Sequence, residues 1–312
     1  MIVWGVNALN HGHSIAVFND GRLINNYIGK GDQLESATTV QALNHGSPSR
    51  LFWYERPWIK KARQIYAGQY STAFDLSVLP RKNTKQFHYA PITYTPHHAS
   101  HAAAGYYTSP FNHCAIVVLD AIGEFECATI WEGKHGEMRK VWSRSYPHSL
   151  GLFYSAFTKL CGLTPIKDEY LLQQMSDQGD PKRYYTEVNS YIEYTIKLTR
   201  NLHRGVLDWP HAITNLQDQC DIAAAVQRVF EDQVSAVMLK ARQLIDTDSL
   251  VYMGGCAMNS KANTYEVKAW KYVWSLPNPG DPSSSIGAVL YHTKQRVRDY
   301  KWDPVKHIEI KV

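Results

Sequence analysis

The chain has 312 residues, 44% hydrophobic and 20% charged, with a formal net charge of +5. That composition excludes a disordered or low-complexity chain and supplies enough apolar surface for a full core. The small cationic excess permits a polyanionic partner without requiring one. Five cysteines and no CxxC pair argue against a disulfide framework or zinc ribbon and for a reducing compartment. The opening MIVWGVNALNHGHS has no basic leader, and no apolar run is long enough to span a bilayer. The expectation is a cytoplasmic protein with no membrane contact.

In chain order, Ile2–Asn7 reads as a buried strand, and Ser14–Phe18 and Arg22–Tyr27 as two more. Asp20-Gly21 between the latter two is a hairpin signal. Residues 50–70 are aromatic, basic and partly helical. Thr95-Pro96 before HHASHAAAGYY predicts a helix start, with threonine at the N-cap and proline in the first turn. Cys114–Leu119 is a continuous apolar strand and Glu126–Trp131 its return. Helices are expected over Leu150–Leu160, Asp221–Ile245 and Ser285–His292, and a short buried strand over Leu250–Met253. Alternating strands and helices through both halves predict an α/β fold, with a boundary near Phe111-Asn112.

Four positions carry chemistry. His97 and His101, one helical turn apart, project from one face, which suits a two-ligand clamp for a divalent metal. No glutamate occupies the HExxH position, so the zincin protease pattern fails. Asp120 ends an apolar strand before a glycine-containing turn, a place for a metal ligand or for a simple turn residue. Asp281, in PGDPSSSIGA, suits a helix cap or a metal shell. Gly254-Gly255 follows a strand, where glycines allow close backbone approach to a nucleotide.

Combined, these stretches resemble the carbamoyltransferase family that includes the nodulation-factor, cephamycin and tobramycin O-carbamoyltransferases. The matching segments are NHGHSIAVFNDGRL, HHASHAAAGYYTSPF, VVLDAIGEFECATIW, SLGLFYSAFTKLCGL, DEYLLQQMSDQGDP, DIAAAVQ, MGGCAMNSKAN and NPGDPSSSIGAVL, in the family's order. The resemblance implies an actin/Hsp70-like (ASKHA) fold of two ribonuclease-H-like lobes, 1–112 and 113–312. The second would carry a nucleotide-binding turn and a returning C-terminal helix. It also implies a divalent metal between the lobes, held by His97, His101, Asp120 and Asp281. Such mixed ligands favour iron, manganese or zinc. His11 is the implied acid/base, with His13 as its rival. Gly254, Gly255, Asn259 and Gly123 are the implied cofactor contacts.

The implied reaction moves a carbamoyl group from carbamoyl phosphate to a hydroxyl, directly or through a carbamoyl-adenylate made with ATP. The chain departs from the family where DGxGE reads Asp120-Ala121-Ile122-Gly123-Glu124 and where the EGKxM lysine is replaced in Glu169-Tyr170-Leu171-Leu172-Gln173. It resembles a compact, phage-like member lacking the C-terminal YrdC-like domain. The expected acceptor is therefore the hydroxymethyl group of a modified pyrimidine, 5-hydroxymethylcytosine, in phage DNA or a nucleotide, within the infected cell. Arg56, Lys60, Lys61 and Arg63 would contact phosphates while Trp58 or Trp53 stacks on a base. The rival readings are threonylcarbamoyl transfer to tRNA and a non-catalytic nucleic-acid-binding module. Homo-oligomerisation stays open.

Overall fold

The computed structural model describes residues 1–9, 12–31, 33–87, 89–266 and 270–297. Strands β1 (Ile2–Asn7), β2 (His13–Asn19) and β3 (Arg22–Gly29) form an antiparallel meander. Asp20 and Gly21 both take positive φ, 47° and 81°, the geometry that matches a tight hairpin to strand twist. Helix α1 (Ser36–Leu43), β4 (Arg50–Trp53), α2 (Pro57–Tyr66), α3 (Tyr70–Phe74), α4 (Pro80–Asn83), β5 (Ile92–Tyr94) and α5 (His97–Thr108) follow.

The second half repeats the plan. A meander of β6 (His113–Gly123), β7 (Glu126–Lys134) and β8 (Glu137–Ser145) leads to α6 (Leu150–Leu160), α7 (Glu169–Met175) and α8 (Tyr185–Asn189). A small ribbon of β9 (Ile192–Glu193) and β10 (Lys197–Leu198) precedes the long α9 (Leu216–Leu244). Then come β11 (Ser249–Met253), α10 (Ser260–Glu266), β12 (Tyr272–Trp274) and α11 (Asp281–Thr293). No helix among the described residues is long and apolar enough to cross a membrane.

The sheets have orders β3-β2-β1-β4-β5 and β12-β11-β6-β7-β8. Read from the meander, both are the same order, with the fourth and fifth strands parallel to the first. That duplicated order is ribonuclease-H-like, and the pair makes the expected actin/Hsp70-like fold.

Helices α5 and α11 lie between the sheets. α11 packs on α5 and on β1 to β4, while α5 also covers β6, β7 and β11. Every residue of α5 is buried, and its run of alanines lets α11 come close. The approach is tightest at Gly287, where a Cβ would sit 1.7 Å from the Ser100 carbonyl oxygen. Trp4, Trp53, Tyr54 and Tyr106 are fully buried in this layer. Each such burial contributes roughly 1.5–3 kcal/mol.

Three local expectations change. Thr95 does not cap α5: Pro96 holds the N-cap position, and the Thr95 hydroxyl donates to the Ala288 carbonyl of α11 at 3.2 Å. α9 begins five residues earlier than its apolar pattern suggested, because Asn215 caps it through the Asp218 N–H. α11 begins at Asp281 rather than Ser285, since Pro282 is tolerated in a first turn. Its packing also places this C-terminal helix against the first sheet.

Candidate metal centre

Four of the sequence candidates converge. His97 opens α5, and His101 follows one turn later on the same face. Asp120 lies where β6 leaves its register with β7, between Leu119 and Gly123, which turns its side chain out of the ladder. Asp281 opens α11, with Gly280 as N-cap and no side-chain capping bond. The ligand atoms of these four residues lie within 4.8 Å of one another. His97 Nε2 is 3.1 Å from Asp120 Oδ2, 3.4 Å from Asp281 Oδ1 and 3.1 Å from His101 Nε2. His101 Nε2 is 3.2 Å from Asp281 Oδ1. Both histidine side chains are fully buried.

Two imidazole nitrogens facing each other between two carboxylates can share a cation. Without one, protons serve. Burial opposes charge on His97, but Asp281 and Asp120 outweigh it and hold the imidazole well above its ordinary range. Burial likewise opposes ionisation of Asp281 and Asp120, yet the histidines hold both carboxyls below the usual range. The donor set of two imidazoles and two carboxylates fits divalent iron, manganese or zinc.

A supporting layer surrounds the four. Glu55 Oε2 lies 3.9 Å from His97 Nδ1, and Glu55 Oε1 accepts from Lys60 Nζ at 2.9 Å. Although burial opposes its charge, Lys60 and His97 keep Glu55 ionised. His98 points away, its Nδ1 sharing a hydrogen bond with Thr129 Oγ1 at 3.0 Å. Burial and the neighbouring His97 push it far below the ordinary imidazole range, so it is neutral.

The glycines act on this cluster rather than on open space. A Cβ at Gly123 would sit 2.3 Å from the His97 ring. Gly254 has φ +97°, and a Cβ there would meet the Leu119 carbonyl oxygen at 2.2 Å. The space a side chain would take there is therefore filled by β6 backbone, which accounts for a glycine at 254 without a ligand beside it. Gly255 donates its N–H to Asp120 Oδ1 at 3.2 Å and holds that carboxylate toward His97. Asn259 pairs reciprocally with Gln227, 3.0 Å in each direction, and accepts from the Ala262 N–H.

The cluster opens on two joined clefts. One, of about 570 Å³, has Asp120 and Asp281 in its wall and runs to Lys60, Arg63, Lys159 and Arg204. The other, of about 390 Å³, shares Asp120, Gly255 and Met258 and runs to Tyr170, Phe230 and Asn259.

The basic segment differs from its sequence appearance. Trp53 is fully buried in β4, so it presents no stacking face. Arg56 clasps the Glu124 carboxylate, and its Nε lies 3.1 Å from Oε2. Lys60 is taken by Glu55, and Lys61 by the carbonyls of Ala73 and Asp75 at 2.8 and 2.7 Å. Trp58 is 53% exposed, edge-on to Tyr94. His11 lies outside the described residues. Its rival His13 is buried and committed, with Nδ1 2.6 Å from the Gly31 carbonyl and Nε2 2.8 Å from Thr38 Oγ1. Sequence reasoning missed Glu55, Lys159, His203 and Arg204. Glu55 alone left a signal, as the single acid among the cations of residues 50–63, directly after a buried strand.

Comparison with known proteins adds the following. The family model described as the carbamoyltransferase N-terminus matches residues 54–290. An uncharacterized protein of Synechocystis sp. is 28% identical over 222 residues, 64% of this chain and 36% of that one. Nodulation protein NolNO of Sinorhizobium fredii is 24% identical over 232 residues, 68% of this chain and 34% of that one. The chain thus spans little more than a third of the length of these relatives. Component A of the Acidaminococcus fermentans (R)-2-hydroxyglutaryl-CoA dehydratase superposes with a TM-score of 0.52 at 9% identity, over 94% of this chain and 99% of that one. This last likeness concerns the fold alone.

Proposed function

The chain belongs to the carbamoyltransferase family, and from that premise we propose that it transfers a carbamoyl group from carbamoyl phosphate to a hydroxyl acceptor in a metal-dependent reaction. The observation that carries this reading is the cluster of His97, His101, Asp120 and Asp281, set in the wall of a cleft large enough for substrates. A divalent ion held by these four residues would polarise the donor's carbonyl or phosphate oxygen. The chain's own groups do the rest. Glu55 orients the His97 ring, Gly255 fixes Asp120, and the cleft walls bring the two substrates together.

In the transfer, the acceptor oxygen bonds to the carbamoyl carbon as the carbon–oxygen bond to phosphate breaks. Phosphate leaves with the electron pair, and the hydroxyl proton passes to a base, for which His11 is the proposed residue. If ATP first converts the donor to carbamoyl-adenylate, the smaller cleft beside Gly255, Tyr170 and Asn259 is the place for the adenosine. The proposed acceptor is the hydroxymethyl group of 5-hydroxymethylcytosine, in phage DNA or as a nucleotide.

The test is incubation of the purified chain with manganese, iron or zinc and carbamoyl phosphate, with and without ATP. The acceptors are hydroxymethylated DNA, its nucleotides and small alcohols, read by mass spectrometry. Carbamoylated product that disappears in His101→Ala supports the reading. No product from any acceptor with any of the three metals refutes it.

A further inference from the structure

The far end of the larger cleft holds charge that the transfer chemistry does not use. Arg63 is only 7% exposed. Its Nε donates to the Glu124 carbonyl oxygen at 3.2 Å and its Nη1 to Gln69 Oε1 at 2.7 Å, both neutral acceptors. The Glu124 carboxylate itself is turned to Arg56. Among the described residues, the Arg63 guanidinium meets no carboxylate. A buried arginine without a countercharge is costly unless an anion completes it.

Across the cleft, His203 has a buried Nδ1 without a partner, its Nε2 being taken by Gln69 at 2.8 Å. Lys159 and Arg204 complete the rim, and among the described residues the Lys159 ammonium donates to the Arg204 carbonyl alone, at 3.3 Å. The carboxylates lining this cleft are Asp120 and Asp281, both committed to the histidines.

We infer that Arg63, Lys159, His203 and Arg204 form a phosphate subsite for the acceptor, which is therefore a phosphomonoester of nucleotide size. The inference rests on the carbamoyltransferase reading for its acceptor. Guanidinium, ammonium and imidazole N–H donors around one concavity suit a phosphate dianion, which offers three acceptor oxygens. Size points to the acceptor rather than the donor: a cleft of about 570 Å³ matches a nucleotide-sized ligand, and carbamoyl phosphate would fill a small part of it. A polymer phosphate carries one charge and a terminal phosphate two, so a cluster of cations with no carboxylate among them favours the terminal phosphate.

The test is calorimetry on the full metal-loaded chain with four probes: 5-hydroxymethyl-dCMP, its nucleoside, an oligonucleotide lacking terminal phosphates, and carbamoyl phosphate. The monophosphate is expected to bind at least ten-fold tighter than the nucleoside or the oligonucleotide. Arg63→Lys, and separately Lys159→Ala with Arg204→Ala on the exposed rim, should weaken the monophosphate about ten-fold and leave the nucleoside unchanged. A misfolded variant cannot produce that split, and the rim pair keeps the test sound if Arg63→Lys fails to fold. Equal binding of nucleoside and monophosphate overturns the subsite. So does undiminished binding in the rim variant. If carbamoyl phosphate loses affinity with the rim variant while the monophosphate does not, the subsite serves the donor and the acceptor assignment is overturned. Failure of carbamoyl transfer to every acceptor would sink the transferase reading without touching these binding results.

Discussion

Gly254 separates two accounts of the glycine turn, because one puts a ligand beside it and the other puts β6 there. In Gly254→Ala the methyl group meets two penalties. At φ +97° and ψ 168° the backbone sits in a region nearly exclusive to glycine, which costs about 1–3 kcal/mol for other residues. The new Cβ also lies 2.2 Å from the Leu119 carbonyl oxygen, and backbone in a central strand cannot rotate away, so overpacking adds about 1–3 kcal/mol. A combined loss near 4 kcal/mol lowers the melting temperature by roughly 10 °C, at about 2–4 °C per kcal/mol in domains of a couple of hundred residues. Gly255→Ala is the control. Its Cβ would lie 3.0 Å from Asp120 Oδ1, with no positive φ. It should melt within a few degrees of wild type yet bind the metal more weakly. Thermal melts with metal titration measure both. If Gly254→Ala melts like wild type and loses only nucleotide binding, the packing argument is refuted and the ligand account stands.

Four further outcomes are expected. Chelation should abolish carbamoyl transfer and lower the melting temperature, with activity restored by iron, manganese or zinc; transfer that persists after exhaustive chelation would count against the metal. Glu55→Gln should weaken metal binding roughly 10- to 100-fold, as losing a carboxylate behind a histidine ligand does, and an unchanged titration would remove Glu55 from that role. Metal uptake should release protons at neutral pH, because His97 keeps its proton above the ordinary imidazole range and must lose it to bind; affinity should then rise with pH until His97 has titrated, and binding heats that do not vary with buffer ionisation enthalpy would contradict this. His11→Ala should lower turnover about 100- to 10,000-fold without changing the melt, whereas His13→Ala should unfold at a lower temperature because it strips hydrogen bonds from a buried site; the opposite pattern would exchange the two assignments.

Much of the fold was legible because its signals are local. Asp20-Gly21 set the first hairpin, and the apolar runs marked β1 and β11 within a residue and the start of β6, which runs four residues further than its apolar core. The helical spacing of His97 and His101 put both on one face. What the sequence withheld depends on contacts between distant segments. Whether Asp281 caps α11 or faces the histidines turns on a pairing 180 positions away. The cations of α2 read as a free basic face because the residue that occupies Arg56 lies 68 positions later, at Glu124. A paired glycine says only that a side chain is excluded, not whether ligand or backbone excludes it. Arg63 was one cation among several until burial and the missing countercharge set it apart.

The duplicated sheet explains how such distant residues meet. In each half a helix follows the fifth strand and packs against the sheet of the other half, so α5 and α11 are structural equivalents stacked between the two layers. Their first turns lie at the ends where the parallel strands finish, the edge at which α/β sheets place ligands. The chain supplies His97 and His101 from one copy of that helix and Asp281 from the other, with Asp120 from the first strand of the second sheet. Asp281 also gains from its position, since a helix N-terminus favours a carboxylate. Three of the four proposed ligands therefore belong to the α5–α11 contact itself. The spacing there is set by Gly287 against the Ser100 carbonyl, one residue before His101. A side chain at 287 would push α11 away from α5 and Asp281 away from His101 with it. At the proposed metal site a helix-packing distance is also a distance between ligands, so the site's affinity should follow the closeness of two buried helices.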